Sequence, residues 1–232
     1  MRRINKKDKG FTIIELVFAT AVFSTILLVC LAALIQIGKM YYKGVTTTQT
    51  QEAARAIMDD ISQSIQFSGS GMKIPTYVAA SSDVPASESS LGFFCVGNTR
   101  YTYAIDRMVE STNNQPQKQQ LHGLWADEPG VCAASSTVGP ADLLSAQPSN
   151  ASYKGRELLG EHMRLTKISL NPVDSAGSVW VVKLQVAYGD EDLLVVDPTD
   201  TSRKLCKYGQ SGTEFCATSE ISSVIKRRIN VL

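Results

Sequence analysis

The chain opens on a polar, basic run over residues 1–9 and passes at once into its most apolar stretch, residues 11–37. Glu15 is the only charged side chain in that stretch, and the next is Lys39. At about 1.5 Å rise per residue such a helix reaches roughly 40 Å, more than the ~30 Å hydrocarbon layer of a bilayer. No second stretch of that length follows, so the pattern predicts a single membrane crossing. The basic flank ahead of it orients the N-terminus toward the cytoplasm and residues 40–232 to the outside.

Beyond the apolar stretch helical spacing continues to residue 67 without a proline. Ala54, Ile57, Met58, Ile61 and Ile65 recur three and four residues apart and form one apolar stripe, while Glu52, Arg55, Asp59, Asp60 and Gln63 fall off it. The pattern predicts an amphipathic extension over residues 38–69, ending near Gly69-Ser70-Gly71 with Pro75 beyond. A single helix over residues 11–67 would be roughly 85 Å long. Gly38, Gly44 and Thr46-Thr47-Thr48 weaken its middle, where a bend or local melting is expected.

After residue 70 the period changes to short alternating runs. Residues 92–96 and 100–105, around Gly97-Asn98-Thr99, read as a hairpin. Residues 163–170 and 178–188, around a loop containing Asn171-Pro172, read as the strongest strand pair. In the second of these Trp180, Val182, Leu184, Val186 and Tyr188 share one face, which is expected to cover the helix stripe. Residues 193–196, 204–208, 214–217 and 224–231 are weaker strand candidates. Residues 110–120 and 126–157 are rich in polar and small residues and read as exposed loops. The expected fold class is α+β, a long N-terminal helix packed on an antiparallel sheet domain. Its parts are a leader (1–10), an apolar helix (11–37), the amphipathic extension (38–69) and a β domain (70–232).

Composition sharpens this picture at one place. The 232 residues carry 23 Lys+Arg against 22 Asp+Glu, which gives no support to a globally basic surface for nucleic acid. Lys226-Arg227-Arg228 reads as a solvated strand face. The imbalance is local: Arg2, Arg3, Lys6, Lys7 and Lys9 against Asp8. A basic start before an apolar core also describes a secretory signal peptide. Here the apolar run is too long for that, and no small-x-small site followed by polar sequence closes it.

The junction reads Lys9-Gly10-Phe11-Thr12-Ile13-Ile14-Glu15-Leu16. An acidic residue at the centre of a membrane helix costs on the order of 2.5–3.5 kcal/mol on insertion scales, less near the end, and simple anchoring does not call for it. With the basic leader and the uninterrupted apolar helix, Gly10, Phe11 and Glu15 resemble the signal of type IV prepilins and pseudopilins. The resemblance implies a pilin-like fold and cleavage by prepilin peptidase between Gly10 and Phe11, with methylation of the new amino group. It also implies a membrane pool held by lipid and assembly with other pilin or pseudopilin subunits at an inner-membrane platform. In that setting Glu15 would neutralise the Phe11 amine of a neighbour, since buried opposite charges are tolerable when paired. Gly10 suits close approach of a peptidase to an extended peptide.

The helix segment ARAIMDDISQSIQFSG and the stretches MRLTKISLNP and VWVVKLQVAYGDEDLL further resemble J- or W-type minor pilins and pseudopilins. The reading is therefore a minor filament subunit in the cytoplasmic membrane before assembly and outside the cell, or in the periplasm, after it. It competes with an uncleaved single-pass adhesin or sensor and with a tethered enzyme. Against the enzyme, the only two histidines, His122 and His162, lie in no nucleophile, zinc or phosphate-loop motif. No cofactor is expected.

Cys30 lies in the apolar stretch and reads as a small buried apolar residue, with lipid modification as the alternative. Cys95, Cys132, Cys206 and Cys216 fall on the outer side, where an even number suggests disulfides. Cys206 with Cys216 suits a hairpin turning at Gln210-Ser211-Gly212, which leaves Cys95 with Cys132. A metal site would lack the usual close cysteine spacing. The acidic run Gly189-Asp190-Glu191-Asp192 with Asp197 and Asp200 is a weak calcium candidate, chiefly Asp190, Asp192 and Asp197. An acidic turn between strands explains it without metal.

Overall fold

The computed structural model describes residues 10–68, 91–109, 122–128, 155–174 and 177–228. The chain divides into two compact units, Met1–Tyr42 and Lys43–Leu232.

Helix α1 spans Ile13–Phe67. The local melting expected around Gly38, Gly44 and the threonine run is absent, since helix continues through all of them. The threonine hydroxyls are accommodated within it. The hydroxyls of Thr46 and Thr47 donate to the Lys43 carbonyl at 3.1 and 2.7 Å, and that of Thr50 donates to the Thr46 carbonyl at 2.7 Å. Bonded back in this way, they satisfy their own polar atoms without leaving the helix. Thr46 and Thr50 are buried and extend the stripe of Ala54, Ile57, Met58, Ile61 and Ile65, all of which are buried as expected. Gly69-Ser70-Gly71 and Pro75 lie outside the described residues.

Strands β1 (Leu91–Val96), β2 (Thr99–Ala104), β3 (Leu124–Asp127) and β4 (Gly155–Glu157) form one antiparallel sheet in that order. The β1–β2 hairpin is the expected one, with Gly97 at φ 61 in its two-residue turn, a conformation open to glycine. Strands β3 and β4 were not legible as strands, being only four and three residues long.

Strands β5 (Met163–Pro172), β6 (Val179–Tyr188) and β9 (Ala217–Lys226) form a second antiparallel sheet, ordered β5-β6-β9. Strand β5 runs through Asn171-Pro172, which sequence placed in a loop. Pro172 stands opposite Trp180 at the end of an outer strand, where a missing N–H is tolerated. Strand β9 begins at Ala217 rather than near Val224. Its polar sequence reflects an outer strand with much of its surface solvated. Strands β7 (Leu194–Val196) and β8 (Lys204–Cys206) pair separately, and Glu214 lies in a short 3-10 turn, Thr213–Phe215, instead of a strand.

One core unites the C-terminal part of α1 with both large sheets. The stripe clusters with Phe94, Val96 and Tyr101 from the first sheet and with Met163, Leu165, Trp180, Val182, Leu184 and Val186 from the second. The face of β6 predicted to cover the helix does so, with Tyr188 packed at its margin. Each fully buried Ile or Leu in such a cluster contributes on the order of 1.5–3 kcal/mol. The two sheets meet where the Asp106 N–H donates to the Leu165 carbonyl at 2.8 Å and the Val109 N–H donates to the Met163 carbonyl at 2.9 Å.

Candidate functional site

The junction singled out by sequence lies at the start of α1. Gly10 and Phe11 precede the helix in exposed, non-helical backbone, and Phe11 is 86% exposed. The Gly10–Phe11 peptide is thus accessible at a point without helical hydrogen bonding. Thr12 and Glu15 then close a reciprocal cap. The Thr12 N–H and hydroxyl donate to Glu15 Oε2 at 2.9 and 2.8 Å, and the Glu15 N–H donates to the Thr12 hydroxyl at 3.3 Å. This is the Thr-x-x-Glu capping box, and it satisfies donors that every helix start leaves open. The sequence carries its signature, though only the charge of Glu15 was read from it.

The helix face beyond is apolar on all sides. Residues 13–37 are all exposed within the chain, including Leu16, Phe18, Phe23, Leu28 and Leu34. Among the described residues this is the one helix long and apolar enough to cross a membrane, with a window of mean hydropathy 2.5 of which 0% is buried. Its hydroxyls are internally satisfied: Thr20 donates to the Val17 carbonyl at 3.0 Å, Ser24 to that of Thr20 at 2.7 Å and Thr25 to that of Val22 at 2.8 Å. A continuous apolar surface of this size calls for cover by lipid or by other apolar helices. Cys30 is a free thiol, exposed on the helix within this chain rather than buried.

In the globular unit Cys206 and Cys216 form the expected disulfide, with Cα atoms 5.8 Å apart. The hairpin expected to carry it is not there. Cys206 ends β8, and the chain returns to Cys216 through Gly212 at φ 91 and the 3-10 turn. Cys95 is disulfide-bonded, and Cys132 lies outside the described residues.

The structure does not gather the calcium candidates. Asp190 and Asp192 are exposed at the 3-10 turn after β6, while Asp197 folds onto its own loop. The Thr199 N–H and hydroxyl donate to Asp197 Oδ1 at 2.8 and 2.6 Å, which holds the carboxyl below its usual range, with Arg203 adding a smaller effect. Among the described residues no group of three His, Cys, Asp or Glu side chains is placed to hold a metal.

Two polar clusters escaped the sequence reading. Asp60 on α1 accepts from the Tyr101 phenol at 2.9 Å and pairs with Arg156, while Ser64 lies 2.7 Å from the same phenol. Glu157 accepts the N–H groups of Gly123, Leu124, Leu158 and Leu159 at 2.9–3.1 Å, with His122 Nδ1 3.3 Å away. The first ties α1 to β2 and β4, and the second ties the start of β3 to the end of β4 and the residues after it. His162 stands apart at the surface with φ 60.

Compared with known families, residues 5–31 match the model described as "Prokaryotic N-terminal methylation motif". No curated protein and no solved structure matches the chain. The match falls on the second half of the basic run, the capped junction and the first part of the exposed apolar helix.

Proposed function

We infer that this chain, which carries the N-terminal methylation motif of type IV prepilins and pseudopilins, is a structural subunit of a type IV pilus or related secretion or competence filament. The observation that carries the reading is Glu15. It is the sole charge in an apolar helix that its own chain leaves uncovered, four residues past an accessible Gly10–Phe11 peptide.

Prepilin peptidase would cut after Gly10 and leave a cationic, methylated Phe11 next to the capped helix start. Before assembly lipid would cover residues 13–37, with the leader in the cytoplasm and the β domain outside. Assembly at an inner-membrane platform would replace lipid with the helices of other pilin or pseudopilin subunits, an exchange driven by packing. Glu15 would serve that step through its free geometry. Oε2 is taken by Thr12, so Oε1 can receive the amine of a neighbouring Phe11 while the helix stays capped. The pair would fix axial register, because an unpaired charge among apolar helices is costly. No step needs catalysis by this chain. The J- or W-like segments in α1 and in β5–β6 favour a minor subunit.

The test is the mature N-terminus in the native host, by intact mass and terminal peptide sequencing. A chain starting at N-methylated Phe11 is expected. A chain that keeps residues 1–10 while prepilin peptidase is active would overturn the filament reading and leave an uncleaved adhesin or sensor.

A further inference from the structure

We propose that the Cys206–Cys216 loop is a redox-dependent clip that fastens the first turns of helix α1 in the globular unit, with Lys43 as its pin. That unit begins at Lys43. The Lys43 ammonium donates to the carbonyl of Thr213 at 3.3 Å and to that of Cys216, and the Thr46 hydroxyl shares its one proton between the Lys43 carbonyl at 3.1 Å and the carbonyl of Glu214 at 3.3 Å. Three carbonyls from one short segment thus converge on one turn of α1. They converge because the chain turns through Gly212 at φ 91 into the 3-10 turn Thr213–Phe215, whose carbonyl end is electronegative.

The disulfide holds that arrangement in place. Cys216 is 0% exposed in a small cluster with Ala187 and Leu194, and its bond to Cys206 closes the loop onto the end of β8. The helix needs this support locally. Between residues 43 and 53 only Thr46 and Thr50 are buried, and the apolar stripe starts at Ala54. The upper stripe is held by the core, and the turns from Lys43 to Thr50 by the clip. Reduction by a dithiol reagent gives two cysteine thiols and the oxidised, cyclic reagent, and it frees residues 207–215 to carry their carbonyls away. A chain not yet oxidised would therefore have loose first turns, and thiol–disulfide exchange with a protein disulfide outside the cytoplasm, which leaves that donor as a dithiol, would set them.

The experiment is hydrogen exchange by mass spectrometry on the full chain in detergent micelles, comparing peptides over residues 43–50 and 57–65. Cys206→Ser with Cys216→Ser, and separately Lys43→Met, are expected to speed exchange over 43–50 by at least about 10-fold, the loss of a charged hydrogen bond, and to leave 57–65 unchanged. Lys43→Arg is expected to keep most of the protection. Unchanged exchange over 43–50 in both variants would overturn the clip. Where the double serine variant also loosens 57–65, Lys43→Met decides alone, and unchanged exchange over 43–50 there sinks the proposal.

Discussion

The side-chain amide of Gln185 acts toward Lys204 as a neighbouring strand would. Its Nε2 donates to the Lys204 carbonyl at 2.9 Å, and its Oε1 accepts the Lys204 N–H at 3.0 Å. The Thr166 hydroxyl donates to the same Oε1 at 2.8 Å, and Gln185 is only 1% exposed. One buried amide thereby docks β8, and the loop that follows it, onto the β5-β6-β9 sheet. The Lys204 ammonium reaches Asp106 at 2.9 Å and ties the same strand to the end of the first sheet.

Gln185→Leu keeps the volume but takes both side-chain partners from the Lys204 N–H and carbonyl, while the Thr166 hydroxyl keeps the carbonyl of residue 185 at 3.2 Å. The expected loss is about 1–3 kcal/mol, because buried polar groups without partners carry their full desolvation penalty. Thermal unfolding of the detergent-solubilised chain followed by near-UV circular dichroism measures it. Gln185→Asn, one methylene too short to reach, is expected to rescue little. An unchanged midpoint in Gln185→Leu would mean that β8 is held by the disulfide and its ion pairs alone.

How much of this was legible follows from what each element depends on. The stripe of α1 and the facing side of β6 were readable because each position there is decided by burial alone, which leaves a clean period in the residues. Strands β3 and β4 were not, because their pairing rests on contacts distant in sequence. A Cβ at Gly155 would lie 2.3 Å from Trp125 Nε1, so that pair fits only through a glycine whose purpose shows only in three dimensions. The outer strand β9 hid behind its solvated serines. Gln185 and Glu157 look like ordinary surface residues until their backbone partners are known. At the junction the reverse held: Gly10, Phe11 and Glu15 were visible as a motif, and the structure added the cap between Thr12 and Glu15.

Arg100 and Asp127 stand directly opposite on β2 and β3, with side chains 5% and 1% exposed. Their contact is bidentate, Nε to Oδ1 at 2.9 Å and Nη2 to Oδ2 at 2.5 Å. Arg100→Met strands the Asp127 carboxylate in the interior, and a loss of roughly 3–5 kcal/mol is expected. Arg100→Met with Asp127→Leu is expected to recover most of it, since neither charge then remains. Chemical denaturation of the three proteins distinguishes a pair that specifies the β2–β3 register from one that supplies net stability.

Tyr101 is fully buried, and its phenol is pushed far above the ordinary tyrosine range. Desolvation is the main cause, opposed by Ser64 and reinforced by the Asp60 carboxylate. A folded pKa raised above the unfolded one gives stability that is fully present below about pH 10 and lost as pH rises beyond it. Absorbance at 295 nm should therefore show one of the eight tyrosines ionising only with unfolding. In Tyr101→Phe that coupled phase should vanish, and a phenol that titrates freely near pH 10 in the folded wild type would contradict the burial argument.

At the acid end the informative group is Asp200. Its carboxyl is lowered to about 2, first by the Ser202 hydroxyl at 2.5 Å and next by Lys167, whose ammonium lies 3.0 Å away. A depressed folded pKa gives stability that is present above the unfolded value of about 3.9 and lost as pH falls toward the folded value. Asp200→Asn cannot titrate, so its deficit relative to wild type should be constant above about pH 5, shrink between about pH 4 and 2, and vanish below. Midpoints of thermal unfolding taken in steps from pH 6 to 2 test this directly. A deficit that does not change across that window would show that the amide loses only the Lys167 contact geometry, and that the charge of Asp200 contributes nothing to holding the β7–β8 loop.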